Sequence, residues 1–98
     1  MKKADALTRL KSLEPRLRRH GIGALYLFGS TARDEAGEGS DLDLLFDVAP
    51  GARLSLFDQA TLGGELAEDL GAKVDLVARG ALHPYLKPRV EAELVRVF

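Results

Sequence analysis

The spacing of apolar residues along the chain predicts helices that alternate with short strands. Four leucines recur at the 3.6-residue spacing of a helix and predict an amphipathic helix over residues 4–20: Leu7, Leu10, Leu13 and Leu17. Pro15 falls inside this segment, so it either kinks the helix or begins a second one.

Four apolar runs are predicted to be strands. They cover residues 24–28, 41–48, 73–78 and 95–98, and the later helical segments cover 30–35, 54–70 and 82–93. The run 24–28 lacks polar alternation, which is typical of an interior strand covered on both faces. The alternating order predicts an α/β (α+β) fold, with a small mixed sheet of about four strands flanked by helices.

The predicted helix 54–70 has an apolar side and an unusual centre. Four residues are predicted to form the apolar side: Leu56, Ala60, Ala67 and Leu70. Gly63 and Gly64 lie mid-helix, where each Gly costs about 1 kcal/mol relative to Ala, so the pair either permits close packing or breaks the helix. Gly71 is predicted to cap the helix end, and residues 36–40 to form a turn.

Length and composition restrict the class of protein. The chain has 98 residues, which predicts one domain over 1–98, and it has no cysteine, which excludes disulfides and thiolate metal sites. No long apolar stretch is present, so we expect no signal peptide, no membrane association and a cytoplasmic location. The net charge of -1 gives no global basic field, so direct DNA binding is not expected.

Basic residues do cluster near the end of the first predicted helix. The cluster consists of Arg16, Arg18, Arg19 and His20. The favoured interpretation is a solvated face whose charge suits a helix C-terminus, and contact with a partner or nucleotide is the alternative.

Acidic residues interrupt two of the apolar strands. Asp41 and Asp43 alternate with apolar residues, so both point to one face, about 7 Å apart along the strand. Two such carboxylates repel each other, and a divalent cation removes that conflict. Oxygen ligands without neighbouring His or Cys suit Mg²⁺ or Mn²⁺. Asp75 lies in a third apolar strand, and if that strand is adjacent, three carboxylates converge in a site able to hold two metal ions.

The Gly29-Ser30 pair follows the first predicted strand and precedes a helical turn. Glycine allows a phosphate to approach the backbone, and the Ser hydroxyl with the first helical N–H groups can hold it. Arg33, one turn further on, is a candidate to pair with a phosphate oxygen or to orient an acid. The site therefore combines an anion-binding turn with metal-binding acids.

Taken together, these residues resemble the signature of the DNA polymerase beta-like nucleotidyltransferase superfamily. The signature is Gly29-Ser30, ten intervening residues and Asp41-Leu42-Asp43. More narrowly, the chain resembles the minimal nucleotidyltransferase (MNT) proteins in LYLFGSTARDE, SDLDLLFD, KVDLV and the tail PYLKPRVEAELVRVF. This resemblance spans nearly the whole chain and implies the nucleotidyltransferase fold, with transfer of a nucleoside monophosphate from an NTP to an acceptor.

The resemblance also implies a role for each site residue. Asp41 and Asp43 would bind two Mg²⁺ ions, and Asp75 would bind one ion and help deprotonate the acceptor hydroxyl. Gly29 and Ser30 would hold the triphosphate. The sequence departs from the family pattern Arg-x-Arg-Gly-Glu after the Gly-Ser, where it has Thr-Ala-Arg-Asp-Glu over residues 31–35. The departures affect a phosphate contact expected from the first Arg, and add a negative charge near the anion site.

MNT proteins of this size are commonly the antitoxin of a toxin–antitoxin pair, and transfer AMP from ATP to a tyrosine of a HEPN-family ribonuclease toxin. The resemblance thus implies ATP as substrate, Mg²⁺ as cofactor and a HEPN toxin as partner. One alternative is a non-catalytic module that docks on the toxin through the last helix and residues 95–98. Another is a nucleotidyltransferase subunit that acts on a small molecule or an RNA end.

Four other residues are interpreted conservatively. Asp47 continues the acidic face but lies farther along the strand, so a role in the strand-end turn is favoured over metal binding. Glu35 and Glu38 are interpreted as exposed loop charges. Tyr85 is interpreted as an interfacial or core aromatic, and its Arg…His-x-Tyr context as a coincidental likeness to HEPN ribonucleases.

Overall fold

The computed structural model describes residues 1–37, 39 and 41–98. Glu38 and Ser40 lie outside the described residues. The exposure of Glu38 and the complete turn over residues 36–40 therefore stay predictions from the sequence.

The N-terminal region forms two helices. Helix α1 spans Lys3–Ser12 and helix α2 spans Glu14–Arg19. Pro15 lies in the first turn of α2, where its missing N–H breaks no helical hydrogen bond. The backbone N–H of Leu13 donates to the carbonyl of Leu10 at 3.0 Å and closes α1 just before that turn. Pro15 therefore begins a second helix and does not kink a single long one, which was the second of the two predicted outcomes.

Four strands form one mixed sheet, which confirms the predicted fold class. They are β1 Ile22–Phe28, β2 Leu42–Val48, β3 Val74–Ala78 and β4 Val95–Arg96. The order is β3-β2-β1-β4, with β1 antiparallel to β2 and β4, and β2 parallel to β3. Because β1 and β2 are central, both of their faces are covered: Leu44 and Leu45 are each fully buried although they point to opposite faces.

Three helices follow the first strand. They are α3 Gly29–Ala32, α4 Leu56–Leu70 and α5 Lys87–Glu93, and a single 3₁₀ turn, Arg79–Ala81, follows β3. Helix α4 is the crossover that joins the parallel strands β2 and β3. The helix predicted over 82–93 is shorter than expected, because it begins only at Lys87. Pro88 then falls in its first turn, where proline is favoured.

The buried side of α4 differs from the predicted one. The helix buries Leu62, Leu66 and Leu70, whereas Leu56 is 83% exposed. Two stripes at helical spacing compete here, one of leucines and one of mostly small residues, and the leucine stripe removes more apolar area from water. Of the predicted apolar side, only Leu70 is therefore in the core, and Ala60 is exposed.

The two central glycines do not break α4, which is continuous through both. A Cβ at Gly63 would lie 3.8 Å from the Cβ of Leu76, an ordinary contact, and a Cβ at Gly64 would have no neighbour within 4 Å. Gly71 has φ 63° and caps the C-terminus in the left-handed conformation, as predicted. At the other end, Ser55 and Asp58 form a capping box.

The hydrophobic core lies between the sheet and helices α1, α2 and α4, and consists largely of leucines. They are Leu10, Leu17, Leu25, Leu27, Leu42, Leu44, Leu62, Leu66, Leu70 and Leu76. Val97 and Phe98 also pack there, 7% and 5% exposed, and both bond through the backbone to Leu25 of β1. The docking interface predicted for residues 95–98 is therefore wrong for these two side chains, which serve the chain's own core. Among the described residues, no helix is both long and apolar enough to cross a bilayer.

Candidate active site

The parallel pairing of β2 and β3 brings two of the three candidate acids together. Asp43 and Asp75 are register partners on these neighbouring strands. Asp41 lies one residue before β2 and is exposed. All three therefore lie where β2 and β3 begin, and Asp43 points away from the core that buries its neighbours Leu42 and Leu44.

Gly29 lies directly against Asp43. It directly follows β1, opposite the start of β2, since Phe28 is the register partner of Asp43. A Cβ at Gly29 would overlap the carboxylate Oδ2 of Asp43 and lie 3.1 Å from its Cγ. Gly29 also has φ 74°, a left-handed conformation that favours glycine. The fold thus joins the Gly-Ser turn to the acidic strand, and places half-buried Ser30 in the first turn of α3.

The electrostatics of Asp43 reflect crowding by like charges. Burial raises the pKa of Asp43, and the nearby carboxylates of Asp75 and Asp41 raise it further, while Arg33 acts in the opposite direction. A cation placed among these acids would relieve the repulsion. The oxygen-only donor set suits a hard divalent ion.

The described residues contain no group of three carboxylate, imidazole or thiolate side chains arranged to enclose a metal ion. Mg²⁺ does not need such an enclosure, because proteins usually hold it through one or two carboxylates, with water and substrate phosphates completing the shell. Half-buried Asp43 and exposed Asp75 are juxtaposed on neighbouring strands and fit that mode of binding.

The positive charge of Arg33 acts to lower the pKa of Asp43, but its guanidinium bonds to other acids. Its Nε donates to Glu35 Oε2 at 3.1 Å, and its Nη1 donates to Glu93 Oε2 at 2.9 Å. The hydrogen bond from Arg33 to Glu35 is the main cause of a raised pKa for Arg33. Glu93 belongs to α5 and was not found by sequence reasoning, because nothing in the local pattern distinguishes it from other charged helix residues.

The two departures from the family pattern have structural roles. Thr31 is 2% exposed, so its side chain packs inside the fold. Asp34 has φ 58°, a conformation suited to the glycine of the family pattern and tolerated by Asp. Its Oδ1 accepts a hydrogen bond from the backbone N–H of Lys3 at 3.1 Å, at the start of α1. Asp34 thus supplies a cap to α1, whose own N-cap residue makes no side-chain bond.

Asp47 lies on the same strand as Asp43 but has a different partner. Its carboxylate accepts two hydrogen bonds from Arg79, from Nε at 2.7 Å and from Nη2 at 3.2 Å. Arg79 also stacks over the ring of Tyr26, 5.0 Å from its centroid, and donates to Glu91 of α5 at 3.3 Å. Asp47 therefore anchors the segment after β3, a contact that its strand-end position alone did not reveal.

The structure also shows the surroundings of Tyr85 and of the basic cluster. Tyr85 is 85% exposed, so its predicted role in the core is wrong, and the interfacial alternative stays a prediction. In the basic cluster, Arg16 pairs with Asp69 and Arg18 pairs with Glu14. These ion pairs within the chain agree with the conservative interpretation of that cluster.

A groove of about 290 Å³ lies between α4 and β3, away from the acids. It is lined by Leu56, Gln59 and small residues of α4, and by Val74 and Leu76 of β3. Because side chains alternate along β3, these two residues point to the face opposite Asp75. The groove is therefore separate from the candidate active site.

The fold and the site define a nucleotidyltransferase. The nucleotidyltransferase domain family matches residues 6–97, and the chain belongs to this family. A relative from Methanocaldococcus jannaschii, named as a candidate protein adenylyltransferase, is 40% identical over 87 residues, which cover 89% of this chain and 91% of that protein.

Solved structures share the same fold. A candidate minimal nucleotidyltransferase superposes with a TM-score of 0.80 at 37% identity, over 97% of this chain and 95% of that one. An AMPylated HEPN toxin of Shewanella oneidensis in complex with its MNT antitoxin gives a TM-score of 0.70 at 22% identity, over 93% of this chain and 70% of the matched one. The second likeness shows the fold alone.

Proposed function

We propose that this chain is a Mg²⁺-dependent adenylyltransferase that transfers AMP from ATP to a tyrosine of a HEPN-family ribonuclease toxin, and thereby acts as its antitoxin. The proposal is supported by the relative named as a candidate protein adenylyltransferase, and by the shared fold of an MNT antitoxin bound to an AMPylated toxin. The observation that carries it is the contact of Gly29 with Asp43, which is itself paired with Asp75.

In this mechanism Asp43 and Asp75 would hold Mg²⁺, with Asp41 adding negative charge at the same end of the strands, and the ion would neutralise charge on the phosphates and the leaving group when bound. Gly29 would let a phosphate approach the backbone, and the hydroxyl of Ser30 would donate a hydrogen bond to a phosphate oxygen. Positioning these groups in one turn lowers the entropic cost of ordering the triphosphate.

The transfer itself is an in-line displacement at the α-phosphorus. The tyrosine oxygen forms a new bond to phosphorus, the bond to the bridging oxygen of pyrophosphate breaks, and pyrophosphate leaves. Asp75, exposed beside the half-buried Asp43, would accept the proton of the attacking hydroxyl. Arg33 would place positive charge near the phosphates, where negative charge accumulates.

The proposal is tested by incubating the chain with a HEPN-family toxin, Mg²⁺ and ATP labelled at the α-phosphate. We expect label on the toxin, located at a tyrosine by mass spectrometry, and its loss in Asp43→Asn. Asp47→Asn is the matched control, because Asp47 lies on the same strand and face but pairs with Arg79. Label transfer by Asp43→Asn at the wild-type rate would refute the proposed site.

Docking without catalysis is a second candidate function, favoured by apolar side chains on the surface. Leu56 and Phe57 at the start of α4 are 83% and 86% exposed. The double variant Asp41→Asn/Asp43→Asn separates the two functions in cells that express the toxin. Protection by this variant would favour docking, whereas loss of protection with retained complex formation would favour catalysis.

A further inference from the structure

We propose that Glu93 is a positioning residue, which fixes the Arg33 guanidinium at the end of α3 so that Arg33 can bind a nucleotide phosphate. The inference rests on the proposed function and deepens it. Glu93 itself would touch neither the nucleotide nor the acceptor, and would act only through Arg33.

The contact between these two residues is long-range and specific. Glu93 is 60 residues from Arg33 in sequence, yet its Oε2 accepts from Nη1 at 2.9 Å. Glu35, only two residues after Arg33, accepts from the adjacent Nε at 3.1 Å. A guanidinium has five N–H donors in a rigid plane, so Arg33 can bind a phosphate oxygen while both carboxylates stay in place.

Glu93 is the better anchor of the two acids. Its side chain is 28% exposed, compared with 66% for Glu35, so its ion pair with Arg33 is less screened by water. Glu35 lies two residues from Arg33 on an exposed segment and moves with it. Glu93 belongs to a different element and therefore fixes the guanidinium relative to the sheet.

Helix α5 is itself held by ion pairs. None of its residues is fully buried, so apolar packing contributes little to its position. Glu91 pairs with Arg79, which is locked by two hydrogen bonds to Asp47 of β2. Glu91 thus ties α5 to the sheet, while Glu93 extends from the same helix toward the site.

Positioning and bulk electrostatics predict opposite effects of removing Glu93. A carboxylate near a polyanion repels it, so a purely electrostatic role predicts tighter nucleotide binding in Glu93→Ala. A positioning role predicts weaker binding, because an unanchored Arg33 must be ordered when the phosphate arrives. The sign of the change therefore decides between them.

The test measures the Kd of Mg²⁺–ATP by calorimetry on the full chain, without an acceptor. We expect Glu93→Ala to weaken binding about fivefold and Glu93→Gln, which keeps an oxygen acceptor, to weaken it less. Glu68→Ala, the control, removes the same charge from an exposed position on α4 and should bind as the wild type does. In an Arg33→Ala background the effect of Glu93→Ala should disappear, since the pair acts as a unit.

Unchanged or tighter binding by a folded Glu93→Ala variant would overturn the inference while leaving the proposed function intact. Equal weakening in the Arg33→Ala background would also overturn it, because the effect would then not pass through Arg33. A wild-type chain that binds no Mg²⁺–ATP would instead remove the proposed function, and the inference with it. Thermal unfolding of each variant establishes that the compared chains are folded.

Discussion

At the scale of single residues, Gly29 carries two separate requirements. Its φ of 74° places it in the left-handed region, and its missing Cβ leaves space for the Asp43 carboxylate. The first requirement concerns stability alone, since any L-residue there is strained. The second concerns the site, because a methyl group would displace the carboxylate from its position beside Asp75.

We expect Gly29→Ala to abolish AMP transfer and to lower the free energy of unfolding by about 1–2 kcal/mol for backbone strain alone, with a further loss from the overlap. Gly51→Ala is a matched control, because Gly51 has φ 79° but a methyl group added there would meet no atom within 4 Å. It should lose stability through strain and keep its activity. Urea unfolding and the label-transfer assay measure the two effects, and equal activity of both variants would contradict the assigned contact.

At the scale of elements, the crossover helix α4 shows what a repeating pattern can and cannot decide. The end of this helix was predicted from Gly71, which caps it, whereas its start was predicted at residue 54, two residues before the observed start after the Ser55 N-cap. Its buried face was predicted poorly, because two apolar stripes fit the helical period and only the fold shows which one meets the sheet. Capping residues thus mark the ends of α4, whereas packing against the sheet determines which face of the helix is buried.

Gly64 offers a direct test of the helix interior. A Cβ there would have no neighbour within 4 Å, and the helix passes through it without interruption. We expect Gly64→Ala to raise the free energy of unfolding by about 1 kcal/mol, since alanine is the better helix former. Gly63→Ala should gain no more than this, because its Cβ would touch Leu76. Stability is measured by denaturant titration. If Gly64→Ala proved less stable than the wild type, a methyl group in the groove between α4 and β3 would be unfavourable, and the expectation would be wrong.

At the scale of the whole molecule, the acids of the site were easier to predict than their supports. An acid within an apolar strand is conspicuous, so Asp43 and Asp75 were both recognised, and parallel pairing of β2 with β3 brings them together. Glu93 bonds to Arg33, 60 positions away, and Arg79 bonds to Asp47, 32 positions away. No regular spacing in the sequence predicts such contacts. Sequence patterns therefore indicated the acidic residues of the site, and the structure was needed to show the long-range ion pairs around them.

That collection of charge implies a conflict between stability and function. The pKa of Asp43 is raised by burial and by its acidic neighbours, so folding favours its protonated form. Its ionisation therefore opposes folding: the effect is absent below the ordinary pKa of the carboxyl and grows as pH rises through the folded-state pKa. At neutral pH in a metal-free buffer, Asp43→Asn should consequently be more stable than the wild type.

We expect Asp43→Asn to raise the free energy of unfolding by up to about 1 kcal/mol, or the Tm by roughly 5 °C for a domain of this size. This difference from the wild type should vanish in acid. Adding Mg²⁺ should raise the Tm of the wild type but not of Asp43→Asn, because a ligand stabilises only the state that binds it. Asp47→Asn should lose stability in the same buffer, since it breaks the pair with Arg79. Calorimetry is done in chelator and in Mg²⁺. If Asp43→Asn were destabilised as much as Asp47→Asn, this account would be wrong, because the Asp43 carboxylate would then stabilise the fold without a bound cation.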